Sequence, residues 1–461
     1  MVEGRALNKE NTVINRRRFL TQTAAATAGL AVLPRRIHAR QSANETINVA
    51  IIGIRGDNKG HPTWTGRGRG QDHYEHLSQI SNVRITHVVD IDERHFKTSL
   101  PFLKTTYGGD PKTETDFRRV LENKDVDAVT IAAPDHWHAL MTIWACQAGK
   151  DVYCEKPVSH NIVEGRRMIE AAKRHNRIVQ AGTQRRSGAV AAKAVQFLRD
   201  GGLGQIYAGK TVVYRQRDPI GVVPNSPVPP GVHYDLWLGP APSRPFNENH
   251  FHYHWHFLWE YGTGDLGNTG VHSIDVTRWL LGKQEHPRTV YCSGGVYEAG
   301  APTDQTTPNT QYATYQYADG TELHCDLRNW YSGPPEAQGL YIYGSKGWMK
   351  FGENQAQVYL GKKNEPGQAI TADEKGDSGQ THFQNFIDCI RSRKAENLKA
   401  PIEEGLFSTA LCHLGNIAWR VGRSLKFDGG TERFVGDSEA DQLLGRRYRA
   451  PFSLSDTRSS A

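Results

Sequence analysis

Four groups of residues have the types and spacing to do chemistry. Glu155-Lys156-Pro157 follows a short apolar run at 152–154, and Pro134-Asp135-His136-Trp137-His138 follows another at 128–132. Turns at the carboxyl ends of parallel strands face a shared crevice, so both segments point at one ligand. An ammonium group held there can donate to a substrate hydroxyl and lower that hydroxyl's pKa; a solvated turn lysine explains Lys156 by itself equally well. The third group is the segment 264–275, with Asp265, Asn268, His272 and Asp275 around Gly267 and Gly270. These glycines flank an expected helix start, and His272, Asp275 and Trp279 would share one face of that helix. A histidine near a helix N-terminus is biased toward its neutral form, which suits a proton acceptor. A capping segment with an internally bonded histidine fits the same residues.

The fourth group is glycine-rich: Gly53, Gly56 and Gly60, then Gly66, Gly68 and Gly70. Such glycines let backbone amides approach a pyrophosphate at a helix N-terminus. Arg55 occupies the usual second-glycine position, so the spacing departs from the common fingerprint. Asp90 ends the next apolar run, where a carboxylate would bond the adenosine ribose hydroxyls and favour NAD over NADP. Arg55 or Arg94 could reverse that preference by reaching a 2′-phosphate. Asp90 lies 37 residues after Gly53, against about 20 in the usual pattern; an insertion around 57–65 accounts for the excess.

The elements that would hold these groups alternate. A short apolar run at 47–52 reads as a buried parallel strand, and 84–89, 128–132, 152–154 and 178–181 read as further strands, with helices near 72–80, 139–148 and 162–172 between them. That alternation predicts an N-terminal doubly wound Rossmann sheet over 40–183. Beyond 184, longer β-like runs at 205–214, 311–317, 322–327 and 340–343 alternate with Pro/Gly-rich loops, and helical stretches follow at 382–392 and 404–423. They predict an α+β second domain over 184–461 with a large, mainly antiparallel sheet, its last helices packing back on the first domain. Within 249–259, His250, His252, His254 and His256 alternate with Tyr253, Trp255 and Phe257. As a strand this run would put the histidines on one face and the rings on the other. No carboxylate or cysteine stands at a telling spacing, so the expectation is a sugar platform with no metal, and an ordinary packed sheet fits the same rings.

The segment from Ala132 to His160, with its Glu155-Lys156-Pro157 core, resembles the Gfo/Idh/MocA oxidoreductases, and the resemblance runs from about Ile47 to beyond Arg420. It implies NAD, or alternatively NADP, held by Gly53, Arg55, Gly56, Asp90, Pro134, Asp135, His138, Glu155 and Lys156. Lys156 would then be the active-site lysine, its peptide to Pro157 in the cis form, and His272 the acid/base. Relatives commonly carry aspartate where this chain has Asn268. Gln184 and Arg185 would lie between nicotinamide and substrate, joined in binding by His254, Asp265, Asn268 and Asp275. The implied substrate is a sugar, glycoside or polyol oxidised at a secondary hydroxyl. A redox-neutral glycosidase, lyase or epimerase cycle and a non-catalytic sugar- or partner-binding module are the alternatives. The expected assembly is a homo-oligomer, dimer or tetramer.

The net charge is +7, yet seven basic residues within 1–39, against Glu3 and Glu10, supply most of it. The remainder is too nearly balanced for a nucleic-acid footprint. The basic segment reads as an address: Arg16-Arg17-Arg18-Phe19-Leu20 resembles a twin-arginine signal, followed by a weakly apolar stretch too short for stable membrane insertion. The expectation is a signal peptide over 1–39, the twin-arginine export machinery as partner, and a periplasmic or extracellular protein that carries its cofactor out already bound. Six cysteines show no paired spacing and predict neither a disulfide framework nor a zinc site.

Overall fold

In the computed structural model, residues 46–55, 67–297, 300–330, 333–372 and 377–454 are described; they fall within the unit Asn44–Ala461. The leader expected over 1–39 lies outside the described residues. The first sheet comprises β1 (Ile47–Ile52), β2 (Val83–Val89), β3 (Lys112–Glu114), β4 (Ala128–Ile131), β5 (Asp151–Glu155) and β6 (Val179–Gly182). All are parallel, in the order β3-β2-β1-β4-β5-β6. β4 and β5 are buried at every position, as strands covered by helices on both faces must be. Strand order reverses between β1 and β4, and there the crevice opens.

Local sequence starts the helices where the site needs them. α1 (Arg69–Ser78) begins after Gly68, three residues earlier than the apolar pattern alone places it. α2 (Asp135–Gln147) starts behind Pro134, with Asp135 in its first turn. α3 (Ile162–Arg174) carries a reciprocal cap: Asn161 accepts from the Glu164 amide at 2.9 Å, and Glu164 accepts from the His160 amide at 2.9 Å.

The second sheet is built from β7 (Ile206–Tyr214), β8 (Thr289–Gly295), β9 (Thr310–Gln316), β10 (Glu322–Arg328), β11 (Gly339–Gly344), β12 (Gly347–Phe351), β13 (Gln355–Leu360), β14 (Glu365–Thr371), β15 (Leu425–Asp428) and β16 (Arg433–Phe434). Its order is β14-β13-β12-β11-β7-β10-β9-β8-β15-β16. β7 and β10 run parallel and the other pairs antiparallel, so the expected sheet is present. α4 (Val271–Leu280) covers one face; Gly209 in β7 lies so close that an added Cβ would sit 2.8 Å from Thr277 Cγ2.

α5 (Ser378–Ser392) and α6 (Ile402–Val421) return to the Rossmann sheet. The Ala181 amide donates to Ala400 O at 2.8 Å, Gln180 Nε2 to His382 O at 2.9 Å, and the Val158 amide to Thr409 Oγ1 at 3.2 Å. The predicted return of the C-terminal helices is therefore a set of bonds to the strand that follows Lys156. Among the described residues no helix is long and apolar enough to cross a membrane. All six cysteines are buried and free.

Candidate active site

A cavity of about 350 Å³ opens at the strand C-termini, between the two sheets. Its nucleotide end is built from backbone. Gly53 ends β1 with φ +88°, and an added Cβ would meet Ala132 O at 2.7 Å. Gly70, in the first turn of α1, lies so close that its Cβ would fall 1.8 Å from Gly53 O. Strand turn and helix therefore meet backbone to backbone, the close approach that dinucleotide folds require. The glycine motif is split by the insertion, and its helix-side member is Gly70. Gly56, Gly60 and Gly66 lie outside the described residues. Arg55 lines the cavity with φ +26°.

Asp90 also lines the cavity. Its Oδ2 accepts from the amides of Ile54 at 2.9 Å and Arg55 at 3.0 Å, and its Oδ1 from the Asp92 amide at 3.0 Å. Burial alone would push its pKa up, but His95 at 3.2 Å and these bonds hold it below the ordinary carboxylate range. A permanently ionised carboxylate beside a glycine cradle fits a ribose diol.

The other end is lined by titratable groups. Lys156 Nζ donates to Asn268 O at 2.9 Å and Asn268 Oδ1 at 3.2 Å. Burial lowers its pKa, opposed by the charges of Glu155 and Asp135. The Lys156–Pro157 peptide is cis. His138 braces this turn, one ring nitrogen 2.7 Å from Pro157 O and the other 2.7 Å from Ala133 O. Glu155 is a fastener too: its Oε1 accepts from Arg69 Nε and Nη2 at 3.2 and 3.1 Å and faces His73 Nε2 at 3.1 Å, tying the start of α1 to β5. Burial opposes its ionisation, yet the Arg69 charge leads a set of contacts that pull its pKa well below the ordinary value.

His272 is the second residue of α4, directly after a wide π-type turn at Leu266–Gly270. Such turns recur at functional sites. Burial first, then the charges of Lys156 and Arg185, push its pKa well down, so the ring is neutral. Its Nδ1 has no hydrogen-bond partner among the described residues. Asp135 accepts from Thr263 Oγ1 at 2.9 Å, and burial raises its pKa to about 7. Lys156, His272, Asp135, Pro134, His138, Glu155, Gln184 and Asn268 all line the cavity, as the sequence reading expects.

Four expected substrate contacts are placed elsewhere. Asp275 is 1% exposed and accepts from Arg186 Nε at 2.9 Å and Ser408 Oγ at 2.6 Å. Arg278 and Glu404 complete this buried ion network. Asp265 accepts from Arg217 Nε at 3.1 Å beneath the cavity floor. Arg185 pairs with Glu353 at 2.9 Å. His254 turns away to Asn249 Oδ1 at 3.1 Å. The histidine run is not a strand but two 3₁₀ turns, Glu248–His250 and His254–Phe257. That reversal sends His252 and His256, with Tyr253 and Trp255, into the cavity. Sequence reasoning missed Arg69 as the partner of Glu155. It also missed Arg217, whose Nη1 donates to Tyr253 Oη at 2.7 Å and whose Nη2 donates to Thr269 Oγ1 at 3.2 Å. Neither arginine carries a local motif.

A doubly wound dinucleotide cradle facing a lysine and a neutral histidine, under a second sheet, defines a two-domain nicotinamide-dependent oxidoreductase. Comparison with known proteins agrees. Residues 47–183 match the family model described as oxidoreductase family, NAD-binding Rossmann fold, and residues 220–454 match oxidoreductase family, C-terminal alpha/beta domain. The chain belongs to the Gfo/Idh/MocA oxidoreductase family. It is similar to myo-inositol 2-dehydrogenase of Thermotoga maritima, 24% identical over 342 residues, covering 73% of this chain and 86% of that protein. Levoglucosan dehydrogenase of Pseudarthrobacter phenanthrenivorans is 27% identical over 180 residues, a match spanning only 38% of either chain. The aldose-aldose oxidoreductase structure from Caulobacter crescentus, complexed with glycerol, shares the fold with a TM-score of 0.59 at 19% identity, covering 83% of this chain and 100% of that one.

Proposed function

We propose that this protein oxidises a secondary hydroxyl of a sugar, glycoside or polyol and holds its NAD through turnover. The observation that carries the reading is the convergence of Lys156 and the neutral His272 on the cavity that contains the dinucleotide cradle. Gly53, Gly70, Asp90 and the turn at Pro134 would hold the cofactor, and a bound nicotinamide supplies the acceptor for the hydrogen that leaves carbon with its electron pair. Lys156 Nζ donates to the substrate oxygen and stabilises its developing negative charge. His272 takes the hydroxyl proton on a ring nitrogen. Asn268 keeps Lys156 aimed through two bonds; as a carboxamide it aligns the ammonium without adding a counter-charge. Tyr253, Trp255 and His256 give the cavity aromatic faces suited to the C–H faces of a sugar ring. The names of the inositol and levoglucosan relatives support the substrate class.

NAD is favoured over NADP because Asp90 would repel a 2′-phosphate and Arg94 is already engaged: its Nε and Nη2 lie 2.8 and 2.6 Å from the Asp92 oxygens. Titration of the nucleotide-free protein is expected to show tighter NAD binding by about tenfold or more, one charge pair's worth; tighter NADP binding would reverse the assignment. The leader motif supports export through the twin-arginine machinery to the periplasm or outside the cell. The open face of the second sheet exposes Tyr207, Tyr291 and Tyr312, which supports a homo-oligomer.

A resident cofactor must be restored within each cycle, either by a second acceptor or by returning hydrogen to the same substrate. With sugars deuterated at a secondary carbon and no added nucleotide, label is expected to appear on a second acceptor. Label returning to the original carbon of a cleaved or epimerised product would instead establish the redox-neutral cycle.

A further inference from the structure

Between the two sheets the chain makes a long excursion whose residues 231–261 lie across the cavity as a strap. It is pinned at both edges. At the edge beside Asp90, Val232 bridges Asp92, the His233 amide donates to Ile91 O at 2.8 Å, and the Glu93 amide donates to Gly231 O at 2.9 Å. His233 Nε2 faces Glu93 Oε1 at 2.8 Å. At the edge beside α2, Trp137 Nε1 donates to Trp237 O at 2.9 Å, His136 Nε2 lies 2.9 Å from the same oxygen, and the His136 amide donates to Tyr261 O at 3.2 Å. Between the edges Tyr234, Trp237, Phe246, Phe251 and Tyr261 pack into an aromatic cluster of their own, so the strap moves as one body. Trp237, Phe251, His252, Tyr253, Trp255 and His256 form its cavity face.

The two edges are unequal. His136 and Trp137 are buried, whereas the Glu93 and His233 side chains are 52% and 40% exposed. A strap that opens therefore opens beside Asp90. There, beside the backbone bridge of Val232 to Asp92, a largely buried side-chain contact joins it to the Rossmann domain: His252 Nε2 lies 3.3 Å from Asp92 Oδ2, with Arg94 Nη2 3.4 Å from the same ring nitrogen. His252 takes a left-handed backbone, φ +52°, to reach it, a strain that persists only where the surroundings impose it. Asp92 is fully buried, and Arg94 bonds both of its oxygens, sharing Oδ2 with His252. Asp92, His95 and His252 have ligand-like spacing, but the Arg94 guanidinium, bonded to both Asp92 oxygens, already supplies the positive charge a cation would bring.

We propose that Asp92 and His252 are positioning residues for the nucleotide, forming a latch that shuts the strap over the adenosine end of the cavity, and that cofactor exchange requires this latch to part. The proposal rests on the dinucleotide reading of the cavity. An extended dinucleotide lying under a strap pinned on both sides leaves only when one side releases, and the Asp92–His252 contact is the largely buried side-chain bond on the weaker side.

The test is the rate at which bound NADH leaves the full-length protein when chased with excess NAD, read by its fluorescence. His252→Ala and Asp92→Asn are expected to speed release by about tenfold or more, the factor one charge-assisted hydrogen bond supplies, with melting temperature measured alongside. A staple gives the opposite sign, and the strain of a side chain at Gly231, φ +81°, is common to its reduced and oxidised forms. A Cβ at Gly231 would lie 3.6 Å from Glu93 Cβ, within the span of a disulfide, about 3.5–4.5 Å. The double variant Glu93→Cys with Gly231→Cys, once oxidised, is expected to slow release about tenfold or more, and reduction to restore it. The reduced form controls for strain at Gly231, and the native cysteines are buried. A formed staple that leaves release unchanged, or faster-melting latch variants with unaltered release, would overturn the latch alone. A parent protein that binds no NADH would overturn the dinucleotide reading and the latch with it.

Discussion

Lys156→Ala and His272→Ala are each expected to lower turnover by about 10²–10⁴-fold while leaving the melting temperature and nucleotide content near those of the parent. The two side chains line one cavity, and in the proposed reaction both meet the substrate hydroxyl. There Lys156 would stabilise the oxygen that loses a proton and His272 would receive that proton, so removing either leaves the other without its counterpart. Their fixed geometry comes from elsewhere: His138 braces the turn at Pro157, Asn268 bonds Lys156, and the π-type turn aims His272. The variants therefore lose chemistry and keep their frame. Steady-state rates with a responsive sugar or polyol check this, together with thermal unfolding. Near-full activity in either variant removes that residue from the mechanism.

Asp275→Ala is expected to destabilise the protein by about 3–5 kcal/mol, because it strips a carboxylate from a buried network and leaves Arg186 and Arg278 to share Glu404. Arg186 Nε lies 2.9 Å from both Asp275 oxygens, and Ser408 Oγ donates to Oδ1 at 2.6 Å. The network joins α4, α6 and the turn after β6, so its loss also loosens the support under His272. Denaturant unfolding monitored by fluorescence measures the effect. A variant that unfolds like the parent but has a raised KM would return Asp275 to the substrate.

These two cases mark what the chain made legible and what it did not. Lys156 and Asp135 were readable because each follows a short apolar run, and parallel strands buried on both faces leave that mark in sequence; Asp90 was readable as the end of the second strand. Gly70 was harder: the insertion separates it from Gly53, and only the folded backbone shows the two touching. Asp275 shares a helical face with His272 by spacing, yet its partners Arg186 and Ser408 come from segments distant in sequence, with nothing local to announce them. His254 failed on parity. Alternating histidines read as a strand, but Asn247 accepts from the Asn249 amide at 2.9 Å and starts a turn, so Tyr253 and Trp255 come to share the cavity with His252 and His256. Side chains of asparagine that bond nearby amides compete with strand pairing, and that pair of asparagines was the available signal. Arg217 and Thr263 carried none.

The central claim is a resident nicotinamide dinucleotide that sugars reduce in place. Purified full-length protein, never given nucleotide, should release NAD on denaturation, and the same preparation left folded should gain the near-ultraviolet absorbance of reduced nicotinamide when a reactive sugar or polyol is added. Protein that releases no nucleotide and binds neither NAD nor NADP when offered them would contradict the account.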